Sequence, residues 1–321
     1  MKVFIVGFGN IGTNLVRIIT EKNNELQQKY GDSFQIIAIA DSKGVYKGFK
    51  DNEEILEAKL NGRTEKFRIK DIDIAKSIAD LEYDILVEVT SSTPSGEPGI
   101  TYVKRAMERK KHVVTANKSI LVQNFDIIDY ARKMGVIFKF EATVCGSIPV
   151  FNTIDNYYSK AKIKKVSGAF NATSSYIIRM MENGFSFRDA LDIAIKEGLA
   201  ERNYEDDLLG IDSARKALIL HNYIFKKRIK MNEIENLAKI EDVKPGMGLI
   251  SEIEDSKITI KYVEKSEKSK IFDFNGAGMS FTITTDLFNT QTLIVDQDGP
   301  WESAAAVYSD LFDILKVRIL E

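Results

Sequence analysis

The sequence predicts an α/β protein in which a doubly wound parallel sheet is joined to a second, α+β domain. Three observations lead to this prediction. Strands and helices alternate over the first 140 residues, a glycine-rich turn joins the first strand to the first helix, and the pattern changes after about residue 150. Alternation of this kind is typical of a parallel sheet that helices cover on both faces.

Five short strands are expected in the first domain, each nearly continuous in apolar residues. Strands of a parallel sheet have this composition because both of their faces are buried. Amphipathic helical stretches lie between them. In order, the expected strands are KVFIV (2–6), FQIIAIAD (34–41), YDILVEVT (83–90), HVVTA (112–116) and VIFKFEA (136–142).

The second half of the chain has helices first and strands afterwards, which indicates an α+β unit with a mixed or antiparallel sheet. The strand KIKKVSGAFN precedes helices near 174–183, 186–197 and 206–225. The strands KITIKYVEK, IFDFN, MSFTITTDLF and TQTLIVDQ follow these helices. The last residues, about 301–321, have helical periodicity, and we expect this helix to pack back on the first domain.

The bulk composition limits the possible functions. The chain has 45 basic and 47 acidic residues, a formal charge of -2, which argues against a nucleic-acid partner. No apolar run approaches the ~18 residues of a membrane-spanning helix, so we expect a cytoplasmic protein with no membrane partner. The single cysteine, Cys145, excludes an internal disulfide, and two histidines disfavour a histidine-based zinc site. Carboxylates and amines must therefore do any chemistry, with or without a cofactor.

A phosphate-binding turn is predicted directly after the first strand. Gly7-x-Gly9-x-x-Gly12 lies between a strand and a helix, the context in which a Rossmann-type fold binds a dinucleotide pyrophosphate. That context disfavours the alternative of a glycine-rich turn that binds nothing. The residues of the predicted turn are Gly7, Phe8, Gly9, Asn10, Ile11, Gly12 and Thr13.

The cofactor's adenosine half is expected at the end of the second strand. Asp41 can accept hydrogen bonds from both ribose hydroxyls, which favours NAD. Ser42 and Lys43 follow, and Lys43 is close enough to bind a 2′-phosphate, so NADP stays open. The reactive half of the cofactor should lie over the later strand ends. These ends carry Thr90, Ser91, Ser92, Thr115, Asn117 and Lys118.

Residues 198–216 read GLAERNYEDDLLGIDSARK and gather carboxylates ahead of an apolar helix. Asp212 and Lys216 are four residues apart and share one helix face. Such a pair is usually a surface pair that contributes about 0.2–0.5 kcal/mol. The dinucleotide motif in the same chain favours a catalytic interpretation instead.

Several motifs together resemble the homoserine dehydrogenases, over most of the chain and in the family's order. The most specific is the acid-rich segment that ends in Asp-x-x-x-Lys. No fused kinase or C-terminal ACT domain is evident, so the resemblance is to the short, monofunctional form. The motifs are GFGNIG, TANK (115–118), EATVCGSIPV (141–150), GAFNATSSYI (168–177) and GLAERNYEDDLLGIDSARK.

The resemblance implies NAD(P)-dependent interconversion of L-homoserine and L-aspartate 4-semialdehyde, a step towards threonine and methionine. It implies two domains, residues 1–140 for the dinucleotide and 141–300 for substrate binding and dimerisation, with 140–155 pairing the subunits of a homodimer. Gly299 is what remains of the family's late glycine-rich turn. By resemblance, the substrate residues are Glu201, Asp207, Asp212 and Thr173, the active-site lysines are Lys216 and Lys118, and a sodium site comprises Glu141, Val144, Gly146 and Ile148.

The proton-transfer group is left open between two lysines. Homoserine oxidation needs a general base, and we favour Lys216 for this role with Lys118 orienting the hydroxyl or sharing it. Burial and a second cation would lower the pKa of Lys216, and Asp212 would raise it. A thiol nucleophile at Cys145 is disfavoured because neither histidine is suitably placed to activate it. Two alternative interpretations are another amino-acid dehydrogenase and a non-catalytic dinucleotide-sensing protein.

Overall fold

The computed structural model describes residues 1–70, 72–200, 204–234 and 238–320, and the chain divides into two units. Unit 1 comprises Met1–Thr143 and Pro300–Glu321, and unit 2 comprises Val144–Gly299. Unit 1 contains a six-stranded, mainly parallel sheet, and unit 2 contains a five-stranded antiparallel sheet. The predicted fold class is therefore confirmed.

The sheet of unit 1 has the strand order β3-β2-β1-β4-β5-β6, in which β3 alone is antiparallel to its neighbour. Val6 pairs with Glu88, and Glu88 pairs with Thr115, so β1, β4 and β5 end level with one another. Polar groups that follow these strands therefore share one edge. The strands are β1 (Lys2–Val6), β2 (Gln35–Asp41), β3 (Gly44–Tyr46), β4 (Ile85–Glu88), β5 (His112–Thr115) and β6 (Phe138–Lys139).

Six helices connect these strands, and local side chains define several of their ends. Asp51 accepts a hydrogen bond from the backbone of Glu54 and caps the second helix, and Asp73 caps the third through Lys76. Gly31, at φ +72°, ends the first helix in the left-handed region. The helices are α1 (Asn10–Tyr30), α2 (Asn52–Leu60), α3 (Ile74–Asp80), α4 (Gly99–Glu108), α5 (Lys118–Gln123) and α6 (Ile127–Met134).

Unit 2 has the strand order β11-β10-β7-β8-β9, with antiparallel pairing between each neighbouring pair. Its strands are β7 (Ile163–Gly168), β8 (Met247–Glu254), β9 (Lys257–Glu264), β10 (Met279–Thr285) and β11 (Thr290–Val295). Its helices are α7 (Val150–Asn156), α8 (Ala172–Glu182), α9 (Phe187–Lys196), α10 (Glu205–Leu208) and α11 (Ile211–Phe225).

The last helix, α12 (Pro300–Leu320), belongs to unit 1. Its buried side chains Val307 and Leu311 lie in the same apolar core as Leu15 and Ile19 of α1. Full burial of one such side chain contributes about 1.5–3 kcal/mol, so the contact holds α12 on α1. No helix in the described part of the chain is long and apolar enough to cross a bilayer.

Five details of the expected secondary structure were wrong. The strand expected at 136–142 is only two residues long, because Glu141–Thr143 forms a 3-10 turn. IFDFN is not a strand, and β8 was missed. The helix expected over 206–225 is broken into α10 and α11 at Gly210, where φ is +72°. The antiparallel β3, at the edge of the parallel sheet, was also not anticipated.

Candidate active site

The glycine turn of unit 1 is built so that two positions accept no other residue. Gly7 has φ +117°, and a Cβ there would lie 2.4 Å from the carbonyl oxygen of Val89. A Cβ on Gly12 would lie 1.9 Å from the carbonyl oxygen of Gly7. Glycine permits both the backbone conformation and the close approach of α1 to the turn.

The middle glycine leaves open space in front of α1. Gly9 is exposed, and a Cβ there would have no neighbour within 4 Å. It caps α1 without any side-chain hydrogen bond, so no side chain occupies the helix start, where backbone N–H groups and the helix dipole favour an anion. Asn10 is exposed and Ile11 and Thr13 are half-buried in the first turn of the helix. This open cradle fits a dinucleotide pyrophosphate.

Asp41 is held in a fixed orientation at the end of β2. Its Oδ1 accepts hydrogen bonds from Tyr46 Oη at 2.7 Å and from the backbone N–H of Lys43 at 2.9 Å. Lys59 Nζ lies 3.7 Å from Oδ2. Burial, followed by the Asp41 carboxylate, raises the pKa of Tyr46 to about 12, so the phenol stays a donor. Ser42 and the Lys43 side chain are exposed beside this carboxylate.

Glu88, which the sequence interpretation did not select, lies at the carboxyl end of β4 and is fully buried. Its carboxyl oxygens accept hydrogen bonds from the hydroxyls of Thr90 and Thr115, the latter at 2.9 Å, and from Asn117 Nδ2 at 3.4 Å. Burial raises the pKa of Glu88, and these hydrogen bonds act in the opposite direction. Thr90, Thr115 and Asn117 thus meet in one network, as the level strand ends predict.

The start of α5 is attached to the same network. Asn117 Oδ1 accepts from the backbone N–H of Ser119 at 3.1 Å, which caps α5, and from Ser92 Oγ at 3.2 Å. Lys118 is the first residue of the helix and is half-buried. Ser91 is exposed. The structure thus joins Thr90, Ser92, Thr115 and Asn117, with Lys118 next in the chain.

In unit 2, Lys216 of α11 is a buried cation with only 8% of its surface exposed. Its Nζ lies 2.9 Å from Asp212 Oδ2 and donates a hydrogen bond of 2.6 Å to the carbonyl oxygen of Phe170. Burial lowers the pKa of Lys216, but Asp212 with Cys145 and Asp298 outweighs burial and raises it above its usual value. The ammonium form is therefore the resting form.

Asp207 joins this group through an asparagine at the start of α8. Asn171 Nδ2 donates to Asp207 Oδ1 at 2.6 Å and to Asp212 Oδ2 at 3.3 Å. Burial, followed by the charge of Asp212, raises the pKa of Asp207 to about 6. Thr173 is buried and donates to the carbonyl oxygen of Leu199 at 2.8 Å. Asp207, Asp212 and Lys216 therefore form one cluster in unit 2, and Asn171 bridges its two acids.

Some expected site residues are not tested by these contacts. Glu201 lies outside the described residues. Gly299 is half-buried in the bend before α12. Glu141 is buried, and its backbone N–H donates to Asp310 Oδ2 at 2.9 Å. Across the described ranges, no three His, Cys, Asp or Glu side chains form a metal site, so a sodium site built mainly from the carbonyls of Val144, Gly146 and Ile148 stays a prediction.

Three polar groups were missed, and two of them had a weak signal in the sequence. Glu88 is a carboxyl inside an apolar strand, and Asn171 is a helix cap, a common position for asparagine. Asp298 gave no signal. Its Oδ1 accepts from the backbone N–H of Ser147 at 3.0 Å and from Ser147 Oγ at 2.6 Å, and its charge helps to raise the pKa of Lys216.

The parallel sheet, the glycine cradle and the carboxylate at the end of β2 define an NAD(P)-dependent dehydrogenase. Comparison with known families agrees. The family model for the homoserine dehydrogenase NAD binding domain matches residues 7–141, and the homoserine dehydrogenase model matches residues 149–312. The chain belongs to the homoserine dehydrogenase family. It is an NAD(P)-dependent oxidoreductase that interconverts L-homoserine and L-aspartate 4-semialdehyde in amino-acid biosynthesis.

Individual relatives cover nearly the full chain. The homoserine dehydrogenase of Methanocaldococcus jannaschii is 32% identical, covering 98% of both chains. The crystal structure of homoserine dehydrogenase from Thermoplasma acidophilum is 30% identical, with a TM-score of 0.87 over 98% of this chain and 99% of that one. The NAD(+)-dependent homoserine dehydrogenase of Pseudomonas canavaninivorans is 25% identical over 98% of this chain and 96% of its own length.

The open space at Gly9 leads to a test of the cradle. Gly9→Ala should fold with little loss of stability, because the new Cβ meets no neighbour and the backbone is extended. It should weaken NAD(H) binding by about tenfold or more, because the methyl group occupies the space that the pyrophosphate needs. Isothermal calorimetry and thermal unfolding measure the two effects. Gly12→Ala is the contrast, since it should lose stability as well; unchanged NADH affinity in Gly9→Ala would contradict this assignment.

Proposed function

We propose that unit 1 carries the dinucleotide and unit 2 carries the amino-acid substrate, and that the buried cluster of Lys216, Asp212 and Asp207 binds and protonates that substrate. The observation that supports this most strongly is Lys216, a buried ammonium whose Nζ lies 2.9 Å from Asp212. When bound, NAD(P) supplies hydride exchange at the carbon that carries the reacting oxygen. The protein supplies the binding, orientation and proton transfer.

The ammonium group of the substrate needs buried acceptors, because an unpaired buried charge is very costly. We assign Asp207 to this role, with Asp212 supporting it through their shared partner Asn171. Glu201 joins them by family resemblance. A substrate ammonium would lower the pKa of Asp207 and keep it ionised, so that substrate binding and ionisation of this carboxyl favour one another.

Lys216 is proposed as the proton-transfer group. Its raised pKa means that the resting enzyme holds the proton, so Lys216 is ready to protonate the carbonyl oxygen of the semialdehyde. Two of its three N–H groups are used by Asp212 and Phe170, which leaves one for the substrate oxygen. In the oxidation direction the same group must first lose its proton, so homoserine oxidation should favour alkaline pH. Lys118 is the second active-site lysine and orients the reacting oxygen.

For the cofactor, the fixed Asp41 carboxylate supports a preference for NAD. Its orientation by Tyr46 leaves Oδ2 available to the ribose hydroxyls, whereas a 2′-phosphate would meet a negative charge. Exposed Lys43 and the nearby Lys59 reduce that repulsion, so we expect the enzyme to bind NADP as well as NAD. The enzyme is further proposed to be cytoplasmic and to bind sodium at Glu141 and its neighbouring carbonyls.

The function is tested by NAD(P)-dependent absorbance change with L-homoserine, and with L-serine and L-threonine as controls. We expect activity with homoserine and little with the controls. Lys216→Met should lower turnover by about two orders of magnitude or more, because the proton donor is lost, while NADH still binds. Lys265→Met is the matched control, since Lys265 also pairs with a carboxylate of unit 2, at 2.8 Å from Glu182. No turnover of homoserine with either nucleotide would refute the proposal.

Protonation of Asp207 should raise the KM for homoserine at acidic pH. Its pKa of about 6 means that the carboxylate is increasingly protonated as the pH falls, and only the charged form attracts the substrate ammonium. The KM for homoserine should therefore be about tenfold higher at pH 5 than at pH 8, as the competent fraction falls. Asp207→Asn should have a high KM that no longer varies over this range. Steady-state kinetics measure both, and a wild-type KM that is flat to pH 5 would contradict the assignment.

Unit 2 exposes an apolar surface that supports a homodimer. β11 ends the sheet, and its neighbours Leu293 and Ile294, which point to opposite faces, are 40% and 37% exposed. Leu287, in the turn before β11, is 60% exposed. Tyr157, directly after α7, is 54% exposed and packs its ring 4.8 Å from Phe288 in the same turn. The segment expected to pair subunits is thus continuous with an uncovered strand.

A second copy of the chain is the proposed occupant of this surface, because an open apolar strand edge otherwise promotes aggregation. Leu293→Asp should shift the protein from dimer to monomer, since a charge would be buried in the interface. Sedimentation velocity measures the change. Leu60→Asp is the control, because Leu60 is 72% exposed in α2 of unit 1 and should have no effect. A monomeric wild-type protein, or a dimer that survives Leu293→Asp, would refute this surface.

A further inference from the structure

Glu88 is a buried acid that the proposed reaction does not use. It is fully buried at the end of β4, and its strongest interactions are hydrogen bonds from Thr90, Thr115 and Asn117. A buried carboxyl without a cation is costly unless hydrogen bonds satisfy it. The group therefore needs an explanation in its partners.

Four donors converge on this carboxyl. They are the Thr90 backbone N–H at 3.2 Å, the Thr90 hydroxyl, the Thr115 hydroxyl at 2.9 Å and Asn117 Nδ2 at 3.4 Å. An ionised carboxyl can accept about four hydrogen bonds and donates none. The Thr90 hydroxyl then directs its proton to this carboxyl, and the Thr115 hydroxyl directs its proton to Glu88, whose carboxyl oxygen and backbone carbonyl oxygen both lie at 2.9 Å.

The direction of these two protons decides the rest of the network. With its proton on Glu88, the Thr90 oxygen accepts from Asn117 Nδ2 at 3.3 Å, and the Thr115 oxygen accepts from the Asn117 backbone N–H at 3.0 Å. The Asn117 side chain is thereby oriented with Oδ1 towards Ser119, where it caps α5. Lys118 begins that helix.

We propose that Glu88 is a positioning residue that sets the direction of the hydrogen bonds at this edge and, through Asn117, holds Thr90 and Lys118 in the arrangement that receives the nicotinamide half of the dinucleotide. The inference rests on the proposed function, in which unit 1 carries the dinucleotide, and on the expectation that its reactive half lies over these strand ends. Glu88 itself touches neither substrate nor cofactor in this role.

The proposal is tested by exchanging the hydrogen-bond acceptor, Glu88, and the donor, Asn117. Glu88→Gln replaces one acceptor with a donor, which then faces hydroxyls and an amide that already donate. Asn117→Asp places a second carboxyl where Nδ2 lay 3.4 Å from Glu88. The double variant again contains one acid and one amide, with Gln at 88 donating and Asp at 117 accepting, and aspartate still caps a helix.

The full chain is titrated with NADH and, separately, with ADP-ribose, which lacks the nicotinamide ring. Each single variant should raise the Kd for NADH by about tenfold or more, the effect of one unsatisfied buried group. The Kd for ADP-ribose should change by less than about threefold, because Asp41 and the glycine cradle are untouched. The double variant should recover most of the NADH affinity. Thr90→Val should give the same selective loss and replaces Glu88→Gln if that variant does not fold.

Glu82→Gln is the matched control, since it removes one negative charge from an exposed side chain shortly before β4 and should leave both affinities unchanged. Equal weakening of NADH and ADP-ribose, or no recovery in the double variant, would overturn the inference and reduce Glu88 to a support of the sheet. Turnover of homoserine by the wild type is measured alongside. Its absence, together with selective loss and recovery for NADH, would refute the proposed substrate and leave the positioning role in place.

Discussion

Lys216, a residue that is only 8% exposed, can stay charged only if acceptors surround its ammonium group, and this requirement organises unit 2. Asp212 and the carbonyl oxygen of Phe170 supply those acceptors, at 2.9 and 2.6 Å. Phe170 ends the segment after β7, and Asn171 then caps α8 while it bridges Asp207 and Asp212. The acceptors that this one cation requires thus hold α11, α8 and the chain after β7 next to one another.

Unit 1 meets a different requirement, a buried carboxyl that neutral hydrogen-bond donors must satisfy. Glu88 accepts hydrogen bonds from Thr115 at the end of β5 and from Asn117 directly after it, and these donors can converge only because Glu88 and Thr115 are paired in register. The glycine turn beside β1 adds close backbone approach, with Gly7 and Gly12 at distances that forbid a Cβ. Both features lie at the carboxyl edge, where a parallel sheet presents its ligand site.

Local patterns predicted much of the fold because they depend on residues close in sequence. The strands of unit 1, the glycine turn and the helix that carries Asp212 and Lys216 all have periodic or short-range signals. The errors arose where distant contacts decide. β8 pairs with β7 and β9 although its sequence was not chosen as a strand, and IFDFN, apolar and β-prone, forms no strand. Gly210 breaks a helical pattern that continues on both sides.

By itself, the sequence determined the class of the protein: a dinucleotide turn between a strand and a helix, an acid after the second strand, and an acid–lysine pair on one helix face. Tertiary structure alone decided the charge states. Sequence left the direction of the Lys216 pKa open, since burial and neighbouring carboxylates oppose one another, and folding brings Asp212 and Asp298 close enough for the carboxylates to prevail. It likewise decided that the pKa of Asp207 is raised to about 6 and that Glu88 is buried, because burial and the distances between charged groups are set only once the chain has folded.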